Sequence, residues 1–312
     1  MRLVAELPHR SVDAYYGIVH CVLAPSFNEC GYLIIIEDET MSELPIIGAA
    51  LLVEEMPVHR DWYLEKPRDL EIQSFINADV LIGDWKPMAE EIKKQLDGHQ
   101  GRLGIHGPFW GFTIDTPDPD VRIVVQKRLD QALDVCEFLG ADQVVIHSPF
   151  TTWSYNHLDD GFNGREEITE NTHLTLAPAI RRAENMGVTF VIENIEDINP
   201  FERLKLADSF NSSAVAVSID TGHAHYAHGN TGAAPVDHFV HAAANRLQHV
   251  HLQDADGYAD RHWATGDGTV NWKAVFAALK QYDSNPRLIL EMRDHNDIKK
   301  SMKYLEAVGL GQ

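Results

Sequence analysis

VTFVIEN (188–194) and AVAVSID (214–220) decide the fold, because each runs through apolar, mostly β-branched residues and then closes on an acid, Glu193 or Asp220. Short runs of this kind read as strands buried on both faces of a parallel sheet. Working outward, the same pattern recurs in IIGAALLV (46–53), LEIQSF (70–75), RLGIHG (102–107), QVVIHS (143–148), LQHVHL (247–252) and RLILEM (287–292), which makes eight strands. Amphipathic stretches alternate with them, among them PMAEEIKKQLDG (87–98) and VRIVVQKRLDQALDVCEFLG (121–140), the latter ending on Gly140 as a C-cap.

Eight βα repeats give an α/β fold, a (β/α)8 TIM barrel, for which about 250 residues suffice. A doubly wound open sheet has the same alternation, and periodicity alone does not separate the two. Residues 1–43 stand outside the repeat as an N-terminal extension, with YLIIIEDE (32–39) read as a strand and MRLVAEL (1–7) as its partner. No Pro/Gly-rich linker or charge block interrupts residues 44–312, so these form a single TIM-barrel catalytic domain.

Of the 312 residues, 44% are hydrophobic, enough for a sizeable core, and no apolar run approaches the ~20 residues of a membrane span. The N-terminus lacks a basic segment followed by an apolar one, so the expected location is cytoplasmic. Cys21, Cys30 and Cys136 show no paired spacing and read as reduced structural thiols. A net charge of −21 repels polyanions and disfavours nucleic acid as a partner.

In a parallel barrel the C-terminal ends of the strands form the active-site mouth. Six expected strands place a metal-type ligand there: His106, His147, Glu193, Asp220, His251 and Glu291. Each alone could cap a helix or bind backbone amides. Together they would crowd like charges on one rim, a cost that a cation removes. Carboxylates and imidazoles without thiolate suit a divalent ion, Mn or Zn first, with Co, Mg and Fe open. His249 and His251 share a strand face; His251, nearer the rim, is read as the ligand and His249 as a hydrogen-bonded core residue behind it.

ENIE (193–196), SIDTGHAH (218–225), HVHLQD (249–254) and LILEM (288–292) resemble the xylose-isomerase-like superfamily of sugar isomerases, epimerases and endonuclease IV. The resemblance implies one metal held by Glu193, Asp220, His251 and Glu291, with His223 facing the site as a substrate-binding or catalytic group. DRHWATGDGTVNW (260–272) is similar to an endonuclease IV segment, which implies additional metal ligands at Asp260 and His262. With His106, His147 and His223 added, the nine-ligand, three-metal set of endonuclease IV has a counterpart here. No equivalent of that enzyme's N-terminal strand and DNA-inserting loop is found.

The expected mouth loops, GPFWGFTIDTPDPD (107–120), SPFTTWSYNHLDDGFNG (148–164) and QDADGYADRHW (253–263), are aromatic and acidic, with few bases beyond Arg165, Arg261 and Arg293. Sugars pack on aromatic faces, whereas a polyanion needs several Lys or Arg. The expected partner is therefore a small sugar or sugar derivative, bound by His106, His147, Trp110, Trp153 and Arg261. The expected activity is isomerisation or epimerisation through a metal-stabilised enediolate, with Glu193 and Glu291 as paired acid and base. The alternatives are a multi-zinc phosphodiesterase, a lyase or dehydratase of sugar derivatives, and a non-catalytic sugar-binding barrel. A homo-oligomer or a partner subunit stays open.

Overall fold

The computed structural model describes residues 44–160 and 164–312. The expected extension strand at 32–39, its partner at 1–7, Cys21 and Cys30 all lie outside the described residues.

Eight strands, β1 (Gly48–Leu51), β2 (Leu70–Ile72), β3 (Leu103–His106), β4 (Gln143–His147), β5 (Thr189–Glu193), β6 (Val215–Asp220), β7 (Leu247–Leu252) and β8 (Arg287–Leu290), pair in sequence order. Every ladder is parallel, and β1 pairs with β8 to close the barrel. This is the (β/α)8 architecture, and it excludes the open sheet. Helices fall between the strands; the longest are Pro119–Leu139 and Arg165–Met186.

Local chemistry explains where the first of these begins and ends. Asp118 accepts from Asp120 N and Val121 N, and Pro119 occupies the first turn, where a missing N–H costs nothing. Gly140 stops the helix at φ 75°, with its N–H on Cys136 O at 2.8 Å. Val125, Leu129, Ala132, Leu133 and Cys136 lie buried on that helix, one face against the barrel wall. Among the described residues no helix is long and apolar enough to cross a membrane.

The register is what gathers the polar residues. Parallel pairing sets His147 beside Glu193 and Asp220 beside His251, and neighbouring strands lie about 4.8 Å apart. Strand ends on one rim therefore put ligand-type side chains within reach of each other across long stretches of sequence.

Candidate metal centre

Glu193 ends β5, Asp220 ends β6, His251 is the penultimate residue of β7, and Glu291 follows β8 directly. One ligand-type atom from each lies within 4.8 Å of all the others, and three of the four residues are essentially sealed from solvent. His251 Nδ1 is 2.6 Å from Glu193 Oε1 and 3.4 Å from Glu291 Oε2. Asp220 Oδ1 accepts from His223 N and Gln253 Nε2, whereas Asp220 Oδ2 is buried without a partner among the described residues. Three carboxylates and one imidazole, with an orphaned oxygen among them, fit a divalent cation.

Electrostatics follow from this crowding. Burial pushes the Asp220 carboxyl up to about 7, with Glu193 and Glu291 adding to the push and His223 opposing it. Burial acts on Glu193 in the same sense, yet His251 and the nearby His106 hold it well below the usual carboxylate range. His251, which burial alone would lower, is raised well above the ordinary imidazole value by Glu291, Glu71 and Glu193. The crowded carboxylates thus draw positive charge into the site.

Two further groups adjoin the first. His106 and His147, the last residues of β3 and β4, point Nε2 at Glu193 Oε2 from 3.8 and 3.7 Å, so the two oxygens of Glu193 serve two groups. His106 Nδ1 is fixed on Gly107 O at 2.9 Å. Burial lowers His147 to about 3, which keeps its imidazole neutral and able to bind a metal. On the other side, His262 Nε2 is 3.0 Å and His223 Nε2 is 3.5 Å from Asp260 Oδ1.

The loop carrying Asp260 and His262 is pinned by Asp254, which accepts from Ala255 N, Val270 N, Gly266 N and Trp272 Nε1. Gln253 joins this loop to the first group, donating to Asp220 Oδ1 and Asp260 Oδ1 and accepting from His262 N. Gly222 makes room for it: a Cβ there would sit 2.1 Å from the Gln253 carboxamide.

Sequence reasoning missed Glu71 on β2. Buried inside the barrel, it lies 3.1 Å from His251 Nε2 through Oε1 and 3.1 Å from His249 Nε2 through Oε2. With Nε2–H held on this carboxylate, the His251 ring is oriented and Nδ1 is left for the ion. His249 is hydrogen-bonded in turn to Ser218 Oγ at 2.8 Å. Gln73, two residues on and so on the same strand face, donates to Glu291 Oε1 at 2.5 Å. The available signal was LEIQ itself, two polar residues at alternate positions of an apolar strand. Glu71→Gln is expected to weaken divalent-ion binding roughly 10- to 100-fold while preserving side-chain shape, as Mn2+ titration would read.

The other expected site residues lie farther out. Trp110 and Trp153 are 62% and 63% exposed; Trp110 packs on Phe109, and Trp153 on His157. Arg261 is bound to Asp256 at 2.7 Å, with its guanidinium over the Trp263 ring. Arg165, one of the few loop bases rather than an expected site residue, is taken up by Glu202 and Asp159.

A family model described as a xylose isomerase-like TIM barrel matches residues 71–308. An uncharacterized protein of Methanocaldococcus jannaschii is 26% identical over 221 residues, 67% of this chain and 71% of that one. A probable endonuclease 4 of Mycobacterium ulcerans is 25% identical over 215 residues, 66% of this chain and 81% of that one. Among solved structures, a D-tagatose 3-epimerase-like protein superposes with a TM-score of 0.68 at 23% identity, over 84% of this chain and 96% of its own, a likeness of fold.

Proposed function

The chain belongs to the xylose isomerase-like TIM-barrel family, and from that premise we propose that it is a divalent-metal-dependent isomerase or epimerase of a small, neutral sugar or sugar derivative. The observation that carries this reading is the carboxylate pair: Glu193 Oε1 and Glu291 Oε2 reach the same nitrogen, His251 Nδ1, from β5 and from the end of β8. A divalent ion held by Glu193, Asp220, His251 and Glu291 would supply Lewis-acid polarisation of a carbonyl and its neighbouring hydroxyl.

The chain's own residues do the rest. Glu193, kept ionised by His251, takes the proton from the carbon beside the carbonyl. Glu291, steadied by Gln73 on its other oxygen, returns a proton from its own side. Removal and return on opposite faces of one carbon is epimerisation; return to the neighbouring carbon is isomerisation. His223, which burial would lower but Asp220 and Asp260 hold well above the usual imidazole range, brings a cation to a substrate hydroxyl. We place His106, His147 and the rim aromatics Trp110 and Trp153 around the rest of the sugar.

Charge decides which substrate suits the site. Glu193, Asp220, Glu291 and Asp260 bring four negative charges to the three groups, and Glu71 behind His251 brings a fifth. One divalent ion with the His223 and His262 cations offsets four of the five, which suits a neutral polyol and leaves no net positive charge to hold a phosphate. Three ions would reverse the sign and suit a phosphoester. The second reading, phosphoester hydrolysis on a multi-metal centre, is favoured by the two-sided Glu193 and by the His223, Asp260 and His262 group; the probable endonuclease 4 relatives are in line with it. Ion content of protein purified without chelator, read beside a ketose panel in D2O, separates them. One ion per chain with deuterium wash-in at the carbon beside the carbonyl is expected; three ions with cleavage of bis(p-nitrophenyl) phosphate would overturn the first reading.

A further inference from the structure

A cavity of about 160 Å3 lies beside the ligand groups, formed by the segments that follow β3, β4 and β5. Its apolar wall is Phe109, Phe112, Ile114, Ile146, Phe150 and Ile195. His147 lines it too, stacked on Phe109 at 4.1 Å between ring centroids and 3.7 Å from Glu193 Oε2, so the cavity adjoins the reacting groups.

Several of its polar side chains are already engaged. Glu196 Oε2 accepts from Thr152 N and Oγ1 at 2.7 and 2.9 Å. Thr151 Oγ1 caps Ser154 N, and Ser148 Oγ accepts from Phe150 N. Hydroxyls of a sugar entering here would exchange water for few partners, whereas an apolar group gains the contact of the apolar wall.

We infer that this cavity is a subsite for an apolar ring carried by the substrate next to the reacting carbons, so that the substrate is a sugar derivative bearing an aryl-sized substituent rather than a free sugar. Size supports the assignment, since an apolar protein cavity of about 150 Å3 holds one benzene ring. The sugar half of the inference rests on the function proposed above; the ring half does not.

The test is calorimetric titration of the full-length Mn2+-loaded protein with two matched pairs of probes: phenyl against methyl β-D-glucopyranoside, and phenyl against methyl phosphate. The phenyl glucoside should bind on the order of 30-fold tighter than the methyl glucoside, from the apolar surface withdrawn from water. Thr113→Phe, which places a ring in the cavity from an exposed loop position, should bring that ratio close to one without changing Mn2+ affinity. A phenyl preference confined to the phosphate pair would keep the ring subsite and remove the sugar reading. No phenyl preference in either pair, or one that Thr113→Phe leaves intact, overturns the subsite.

Discussion

Glu193→Gln and Glu291→Gln, each assayed at saturating Mn2+, are expected to lower turnover about a thousandfold, within the range that a positioned acid or base contributes. The amide keeps the shape of the side chain but has no charge to take up a proton. Both residues also sit in the candidate ion group, so ion content must be measured beside rate. Solvent exchange then separates the two roles. In Glu291→Gln, a substrate whose labile hydrogen faces Glu193 should still exchange that hydrogen with D2O while forming almost no product. In Glu193→Gln the same substrate should do neither, and its epimer should show the reverse pattern. Variants that retain the ion and turn over at the wild-type rate would end the paired-carboxylate proposal.

How much of this was legible in the chain depends on what each residue needs from its neighbours. The eight strands were readable because a strand of a closed parallel barrel is buried on both faces, and the apolar runs at 143–148 and 188–194 carry that signal without help. Their ends were less readable: 46–53 was expected where the ladder spans only Gly48–Leu51, since pairing stops where the neighbouring strands stop. Glu291 falls just past the β8 ladder, although its N–H still reaches Leu252 O. The rim acids and imidazoles stood out because each follows an apolar run. Glu71 did not, because it lies within a strand rather than at its end, and its partner His251 is 180 residues away. Trp110 and Trp153 stand out by residue type alone, and nothing in composition shows that these residues stand largely in solvent. The apolar cavity was out of reach for the same reason: three loops build it, and loops have no periodicity.

Stripping the ion with a chelator is expected to lower the Tm, by about 10 °C at pH 8 and by much less at pH 5. A free ion a thousandfold above its Kd stabilises the native state by about 4 kcal/mol, and each kcal/mol moves the Tm of a domain this size by roughly 2–4 °C. The pH dependence comes from the groups the ion replaces. Burial holds the Asp220 carboxyl at about 7 against an ordinary 3.8. Surrounding carboxylates hold His251 well above 6.5 despite its burial. Both shifts are upward, so the ion-free native state binds protons more tightly than the unfolded chain does. That stability is complete below pH 3.8 for Asp220 and below 6.5 for His251, and it is lost as pH rises through the two native values. An ion in the site displaces the same protons, and a low pH therefore favours the ion-free state at the expense of the loaded one. The Tm gap between loaded and stripped protein should widen from pH 5 to 8, and calorimetric ion binding at pH 7 should release protons to the buffer. A gap that stays constant over that range, with no proton release, would mean that Asp220 and His251 do not hold the ion, and the charge argument for a neutral substrate would fall with them.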